Sequence, residues 1–320
     1  MRRIAIVLAA GLAVIAGSGS PAFAIARGAD AADGRYPFSA KLEMTGIPTL
    51  DGSTRDSSCS GSLIAPHWII TAGHCFKDAR DRHVSRPVAK KTVAIVGRAD
   101  LSGSGGDEAT VVEVHQSPTH DIALAKLDRA ITDVAPVRIA TSPPRTGSEV
   151  RLTGFGFTSG EEGSLPSRMQ TGEFRVTSIS GVSVGMSGIA PHANTSPCEH
   201  DSGGPYFTGP DSRPTLVAVV SRGPDCPHTG ADTSARVDTA ATWIRSLIRT
   251  DRVAPPTPKP TQGQPSPTPA AALPPPAAAG TGDHWPMAAG VAGAAAVVLA
   301  PLAFRRRRRR PSPVRSHRRR

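Results

Sequence analysis

A serine with an aspartate before it and two glycines after it stands at Asp201-Ser202-Gly203-Gly204. A histidine lies inside Thr71-Ala72-Gly73-His74-Cys75, and an aspartate opens Asp121-Ile122-Ala123-Leu124. A serine hydroxyl is a poor nucleophile until an imidazole takes its proton, and the imidazole holds the needed tautomer when a carboxylate grips its other ring nitrogen. Ser202, His74 and Asp121 are equipped for these roles, and the chemistry they would perform together is nucleophilic acyl transfer. Gly203 and Gly204 let the backbone turn sharply and let a substrate chain approach main-chain donors where a Cβ would intrude.

The elements needed to position these groups are short and extended. From Ile25 to about Arg236 the chain consists of apolar or alternating runs, such as Leu63 to Ile70, Lys91 to Gly97, Thr110 to His115, Glu149 to Thr153 and Thr215 to Val220. Gly, Pro, Ser and Asp separate them. This spacing predicts an all-β body, sandwich or barrel. After Asp238, read as an N-cap, Trp243, Ile244, Leu247 and Ile248 recur at helical spacing and predict a closing helix with a core-facing stripe.

Further segments carry a resemblance. Cys59-Ser60-Gly61-Ser62-Leu63-Ile64 leads to Trp68-Ile69-Ile70-Thr71-Ala72-Gly73-His74-Cys75; Thr153-Gly154-Phe155-Gly156 and Val219-Val220-Ser221-Arg222-Gly223 follow in order. With the chain order His, Asp, Ser, these segments resemble the trypsin-like serine peptidases of chymotrypsin fold, over roughly Ile25 to Arg249. The likeness is to a bacterial, secreted and C-terminally anchored type. It implies two six-stranded antiparallel β-barrels with a C-terminal helix, His74 and Asp121 coming from the first barrel and Ser202 from the second. It implies a monomeric endopeptidase that cuts protein or peptide substrates through an acyl-enzyme, with no metal and no organic cofactor. Ser221 matches the serine that hydrogen-bonds the orienting aspartate, and Ser221 and Gly223 fall on the segment that lines the substrate pocket.

Two departures bear on function. His200 stands where the family has glycine, and its backbone N–H, with that of Ser202, would form the oxyanion hole. A hole that fails to form would leave a surface binding module in place of an enzyme. Ser196 replaces aspartate at the pocket floor, and Asp232 replaces a pocket-wall glycine, so a carboxylate could still meet a cation from the wall.

The four cysteines, Cys59, Cys75, Cys198 and Cys226, favour two disulfides in an exported chain, with three pairings open on paper. The resemblance selects Cys59 with Cys75 and Cys198 with Cys226. The remaining histidines lack metal-ligand spacing.

The formal net charge of +11 invites a nucleic-acid reading. Ten arginines lie in residues 305–320 and two at Arg2 and Arg3; setting these aside leaves 25 basic against 26 acidic residues. The body is neutral, which excludes nucleic acid as its partner. Met1-Arg2-Arg3, the apolar run Ile4 to Ile15 and Ala22-Phe23-Ala24 predict a signal peptide over 1–24, cut after Ala24. The protease domain then spans 25–250 and starts at Ile25, whose new α-amine is expected to pair with Asp201 and shape the oxyanion hole. Pairing raises the pKa of the amine above its free value near 8, so activity should fade at alkaline pH. Residues 251–284, with ten prolines, read as a disordered linker. Residues 285–304 are uncharged and long enough for one transmembrane helix, and the Arg-rich tail 305–320 reads as cytoplasmic. The expected location is therefore the cell membrane, single-pass, with the protease domain outside; linkage to a cell wall after Ala278-Ala279-Gly280-Thr281-Gly282 is the alternative.

Overall fold

The computed structural model describes residues 25–160 and 165–249. The expected signal peptide, linker, transmembrane span and Arg-rich tail lie outside the described residues. Among the described residues no helix is long and apolar enough to cross a membrane.

In chain order the first strands are β1 (Ala29–Asp30), β2 (Ser39–Pro48), β3 (Thr54–Ala65), β4 (Trp68–Thr71), β5 (Lys91–Val96), β6 (Asp107–Gln116) and β7 (Ala123–Leu127). There follow β8 (Arg138–Ile139), β9 (Glu149–Gly154), β10 (Gln170–Ser180), β11 (Ser183–Ala190), β12 (Pro205–Thr208), β13 (Thr215–Arg222) and β14 (Asp232–Arg236). Strands β2-β3-β4-β7-β6-β5 close into one barrel. Strands β9-β10-β11-β14-β13-β12 form a second ring, closed where β9 pairs with both β10 and β12. The short strand β1 extends it along β10, and β8 adds parallel to β13. The fold is thus all-β with two six-stranded barrels, and closure leaves each barrel without an open sheet edge.

Each barrel is filled by the inward residues of its strands. Leu42, Leu63, Ile69, Ala94, Val111 and Leu127 pack inside the first, and Val150, Leu152, Phe174, Met186, Tyr206 and Val217 inside the second. A third cluster joins the barrels, with Phe38, Ile70, Leu124, Phe155, Phe207 and Val219 at its centre. Phe38 meets Phe207 edge-on with centroids 5.1 Å apart. Ile70 and Leu124, wholly buried there, sit on the strands that run to His74 and away from Asp121. Truncating either to alanine should cost about 2–5 kcal/mol and loosen the seam on which the site depends.

The helix α1 (Ala241–Ile248) forms where its apolar spacing predicts, with Ile244 fully buried and Trp243, Leu247 and Ile248 packed on the inter-barrel cluster. Asp238 does not cap it. The residue before the helix is Ala240, already in the helical region at φ −91° and ψ −7°, with no side-chain cap. Arg236 claims the Asp238 carboxylate instead, with Nε to Oδ1 at 3.1 Å and Nη2 to Oδ2 at 2.6 Å. A charge-assisted fork of this kind outcompetes a single N–H cap bond.

Candidate active site

His74 lies in the 3-10 turn Gly73–Phe76 that follows β4, Asp121 lies just before β7, and Ser202 precedes β12. Strand β4 pairs with β7 from Trp68↔Lys126 to Thr71↔Ala123, so the segments bearing His74 and Asp121 leave the same end of adjacent strands. The His74 backbone N–H donates to Asp121 Oδ1 at 2.8 Å, and ring Nδ1 meets Asp121 Oδ2 at 2.7 Å. A carboxylate can only accept, so Nδ1 carries the proton and Nε2 is left to accept from the Ser202 hydroxyl, 2.8 Å away. Ser221 adds a hydroxyl donor to Asp121 Oδ2 at 2.7 Å. Burial pushes the Asp121 carboxyl up, but the hydrogen bonds from His74 and Ser221 outweigh it and hold the pKa at about 2. Asp121 is therefore a fixed negative charge across the working range of pH.

Glycines make room for this contact. A Cβ on Gly73 would fall 2.7 Å from Gln116 Oε1 and 3.0 Å from Asp121 Oδ1. Gln116 in turn donates to Gly73 O at 2.8 Å and ties the histidine turn to β6. At the serine, Gly203 takes φ +82°, and a Cβ there would stand 2.1 Å from Thr71 Oγ1. The Ser60 N–H donates to Ser202 O at 2.9 Å, so the turn that carries Ser202 is anchored on the opposite barrel.

Asp201 is fully buried behind Ser202. Its oxygens accept from Gly156 N at 2.8 Å and Cys198 N at 2.9 Å, and the Ile25 backbone N–H adds a third bond. Burial dominates all the same and raises its pKa from 3.8 to about 7, against the three donors. Ile25 is itself fully buried and takes φ +54°. The structure thus places the Ile25 nitrogen beside Asp201 while that nitrogen is still an amide.

His200 takes φ +73°, a left-handed conformation that histidine adopts more readily than most residues. Its imidazole turns away onto the first barrel: Nδ1 donates to Ser58 O at 2.9 Å, and the ring meets Phe157 edge-on at 4.7 Å. Its carbonyl accepts from Ser60 Oγ at 3.1 Å.

Both disulfides form, Cys59 with Cys75 and Cys198 with Cys226. A cavity of about 290 Å³ opens beside Ser202, with Cys198, Cys226, Ser221, Gly223 and Asp232 in its lining. Ser196 does not line it. That residue is wholly buried, and its hydroxyl accepts from the His228 N–H at 3.2 Å. A longer groove of about 1020 Å³ runs past His74, Asp121 and Ser221 and is bordered by Leu50, 77% exposed. Gln116, Phe157 and the role of Ser60 escaped the reading of the sequence, since they rest on Gly73 and His200, each 43 residues away, and on Ser202, 142 residues away. Gly154 and Gly156, where a Cβ would stand 2.0 and 2.6 Å from the Asp201 carboxylate, had a signal in the Thr-Gly-Phe-Gly segment.

Two closed barrels with a serine, a histidine and an aspartate meeting between them define the serine-peptidase class of chymotrypsin fold. Residues 25–244, more than half of the chain, match the family described as Trypsin, and the chain belongs to it. It is 27% identical over 245 residues to the suppressor of tumorigenicity 14 protein homolog of Bos taurus, covering 69% of this chain and 28% of that one. It is 27% identical over 247 residues to glucanase inhibitor protein 2 of Phytophthora sojae, covering 69% and 80% of the two chains. The mouse brain serine protease neuropsin has the same fold, with a TM-score of 0.56 and 22% identity over 70% of this chain and all of its own. The domain is a serine endopeptidase domain.

Proposed function

We propose that the protein hydrolyses peptide bonds through an acyl-enzyme in which Ser202 is the nucleophile. The Ser202 hydroxyl attacks the scissile carbonyl while His74 Nε2 takes its proton, and the imidazolium so formed is steadied by the permanently charged Asp121. The backbone N–H groups of His200 and Ser202 receive the oxyanion. As the tetrahedral adduct collapses, the C–N bond breaks and His74 returns the proton to the leaving amine. Water then enters and gives His74 a proton as its oxygen attacks the acyl carbon; the bond to Ser202 Oγ breaks, His74 returns the proton to that oxygen, and the acid is released. The observation that carries this reading is the unbroken chain of contacts, Ser202 Oγ to His74 Nε2 at 2.8 Å and His74 Nδ1 to Asp121 Oδ2 at 2.7 Å.

Cleavage after Ala24 would turn the Ile25 amide into an ammonium beside Asp201, and export followed by C-terminal tethering, to the membrane or to a wall, would place the domain at the cell surface. No nucleic-acid partner is proposed. One relative is named as an inhibitor, which favours a second reading, a binding module on the same scaffold. A fluorophosphonate probe separates the two: covalent labelling of folded protein, abolished by Ser202→Ala, supports the enzyme, and absence of labelling supports the binding module.

A further inference from the structure

We propose that Asp232 selects the substrate: its carboxylate, set in the wall of the cavity beside Ser202, takes the ammonium or guanidinium of a basic side chain on the residue just before the scissile bond. This rests on Ser202 being the nucleophile, which fixes where that residue must lie.

Four observations lead there. Asp232 is only 3% exposed, yet its Oδ2 has no hydrogen-bond partner. A buried acceptor without a donor is costly, and the cost is recovered when a ligand supplies one. Its Oδ1 fills the space left by a missing side chain, since a Cβ on Gly223 would come within 1.9 Å of it. The carboxylate is thus packed against Gly223 in the lining of the cavity and not splayed into solvent. The remaining charged residues of the lining are Glu199, Asp225 and Arg222, so acids outnumber bases where a cation would enter. Ser196, expected at the floor, offers no rival charge: it does not line the cavity, and its neutral hydroxyl accepts from the His228 N–H.

A resident counter-ion is the competing explanation. His228 Nε2 lies 3.3 Å from Asp232 Oδ1, but neither ring nitrogen makes a hydrogen bond. Burial lowers the His228 pKa from 6.5, so the ring is neutral at physiological pH and leaves the carboxylate unpaired. The other groups around Asp232 are Asp201, the buried Tyr206 hydroxyl, and Glu199, Asp225 and Arg222 in the lining. Burial first, and the charge of Asp201 second, raise the Asp232 pKa to about 8. An arriving cation favours the ionised form, so preference for basic residues should strengthen as pH rises toward and past 8.

The experiment uses the full chain and four fluorogenic peptide amides that differ only in Lys, Arg, Leu or Phe before the cleaved bond. Wild type should favour Lys and Arg over Leu by at least ten-fold in kcat/KM. Asp232→Asn keeps the shape against Gly223 and should erase at least ten-fold of that preference while altering Leu and Phe hydrolysis only a few-fold. In wild type alone, the Lys-to-Leu ratio should climb several-fold between pH 6 and 8.5; pH effects on the shared machinery cancel in the ratio, and Lys stays charged throughout. Preference for Leu or Phe, an unchanged ratio in Asp232→Asn, or a ratio flat with pH overturns the proposal. Should the fluorophosphonate fail to label Ser202 and no amide be cut, the catalytic reading fails instead. Benzamidine binding by calorimetry, present in wild type and lost in Asp232→Asn, then still decides the role of Asp232.

Discussion

Asp201 offers the most quantitative test of how the site is armed. With the Ile25 nitrogen as an amide, the buried carboxyl has a pKa of about 7 in place of 3.8. At about 1.4 kcal/mol per pKa unit, ionising it in the folded chain costs about 4 kcal/mol more than in the unfolded one. The folded state binds the extra proton between those two values. Stability from this group is therefore full below about pH 4, declines through pH 7, and is flat above. A chain that begins at Ile25 differs in one respect, a positive charge beside Asp201. The ammonium draws the carboxyl pKa back down and flattens the acid-side slope, while its own raised pKa moves the loss of stability above pH 8. The perturbation is one added residue ahead of Ile25, in a Ser202→Ala background that prevents self-digestion. Unfolding free energies from urea titrations at pH 4.5, 6, 7.5 and 9 should diverge by up to about 4 kcal/mol, a large part of a domain's usual 5–15. Apart from Asp232, which is coupled to Asp201, the other carboxylates are common to both chains and cancel in the difference. Superimposable stability profiles, or a chain starting at Ile25 that declines just as steeply from pH 4.5 to 7.5, would refute the pairing.

Three further outcomes follow from the site geometry. Asp121→Asn should lower kcat by about 10⁴ with KM little changed, because an amide can offer an N–H to Nδ1 and fix the wrong tautomer; steady-state kinetics on one peptide amide reads this. His200→Gly should leave kcat/KM within a few-fold of wild type, since the proposed oxyanion donor is a backbone N–H that glycine also carries and glycine accepts φ +73° without strain. A hundred-fold loss would mean that the imidazole itself is needed. Gly156→Ala would force a Cβ to within 2.4 Å of Glu199 O and 2.6 Å of Asp201, and should cost fluorophosphonate labelling and about 2 kcal/mol or more of unfolding free energy, read by denaturant titration.

The sequence made the strands with clean alternation legible and left others hidden. Lys91 to Gly97 and Glu149 to Thr153 reappear as β5 and β9 within a residue or two. The hairpin β10–β11 carried no such signal: Gln170–Ser180 and Ser183–Ala190 are rich in Ser, Thr and Gly, and their strand conformation comes from pairing with each other, β9 and β14. Asp238 had the right residue type for a cap, but Arg236 reached it first. Of the candidate site, the three side chains that meet at Ser202 could be read from short motifs, because acyl-transfer chemistry restricts residue type and spacing together, whereas the cysteine pairing came from the family resemblance and not from the residues alone. The orientation of the His200 ring could not, since it depends on the Ser58 carbonyl 142 positions away. Nor could the burial of Ser196, whose hydroxyl is taken by a backbone group of a distant loop.

The two buried carboxylates behind the serine are coupled, and this links the making of the enzyme to its selectivity. Asp232 is raised by burial and then by the negative charge of Asp201. An ammonium at Ile25 neutralises Asp201, removes that repulsion and lets Asp232 ionise at lower pH. A cut after Ala24 would then do two things at once: settle the turn that carries Ser202, and charge the cavity beside it. Benzamidine titrations of Ser202→Ala chains with and without a residue ahead of Ile25 measure the coupling. Binding should strengthen with pH in both, with its midpoint lower in the chain that starts at Ile25. Equal midpoints would mean that the two carboxylates titrate independently and that pocket charge is set by the fold alone.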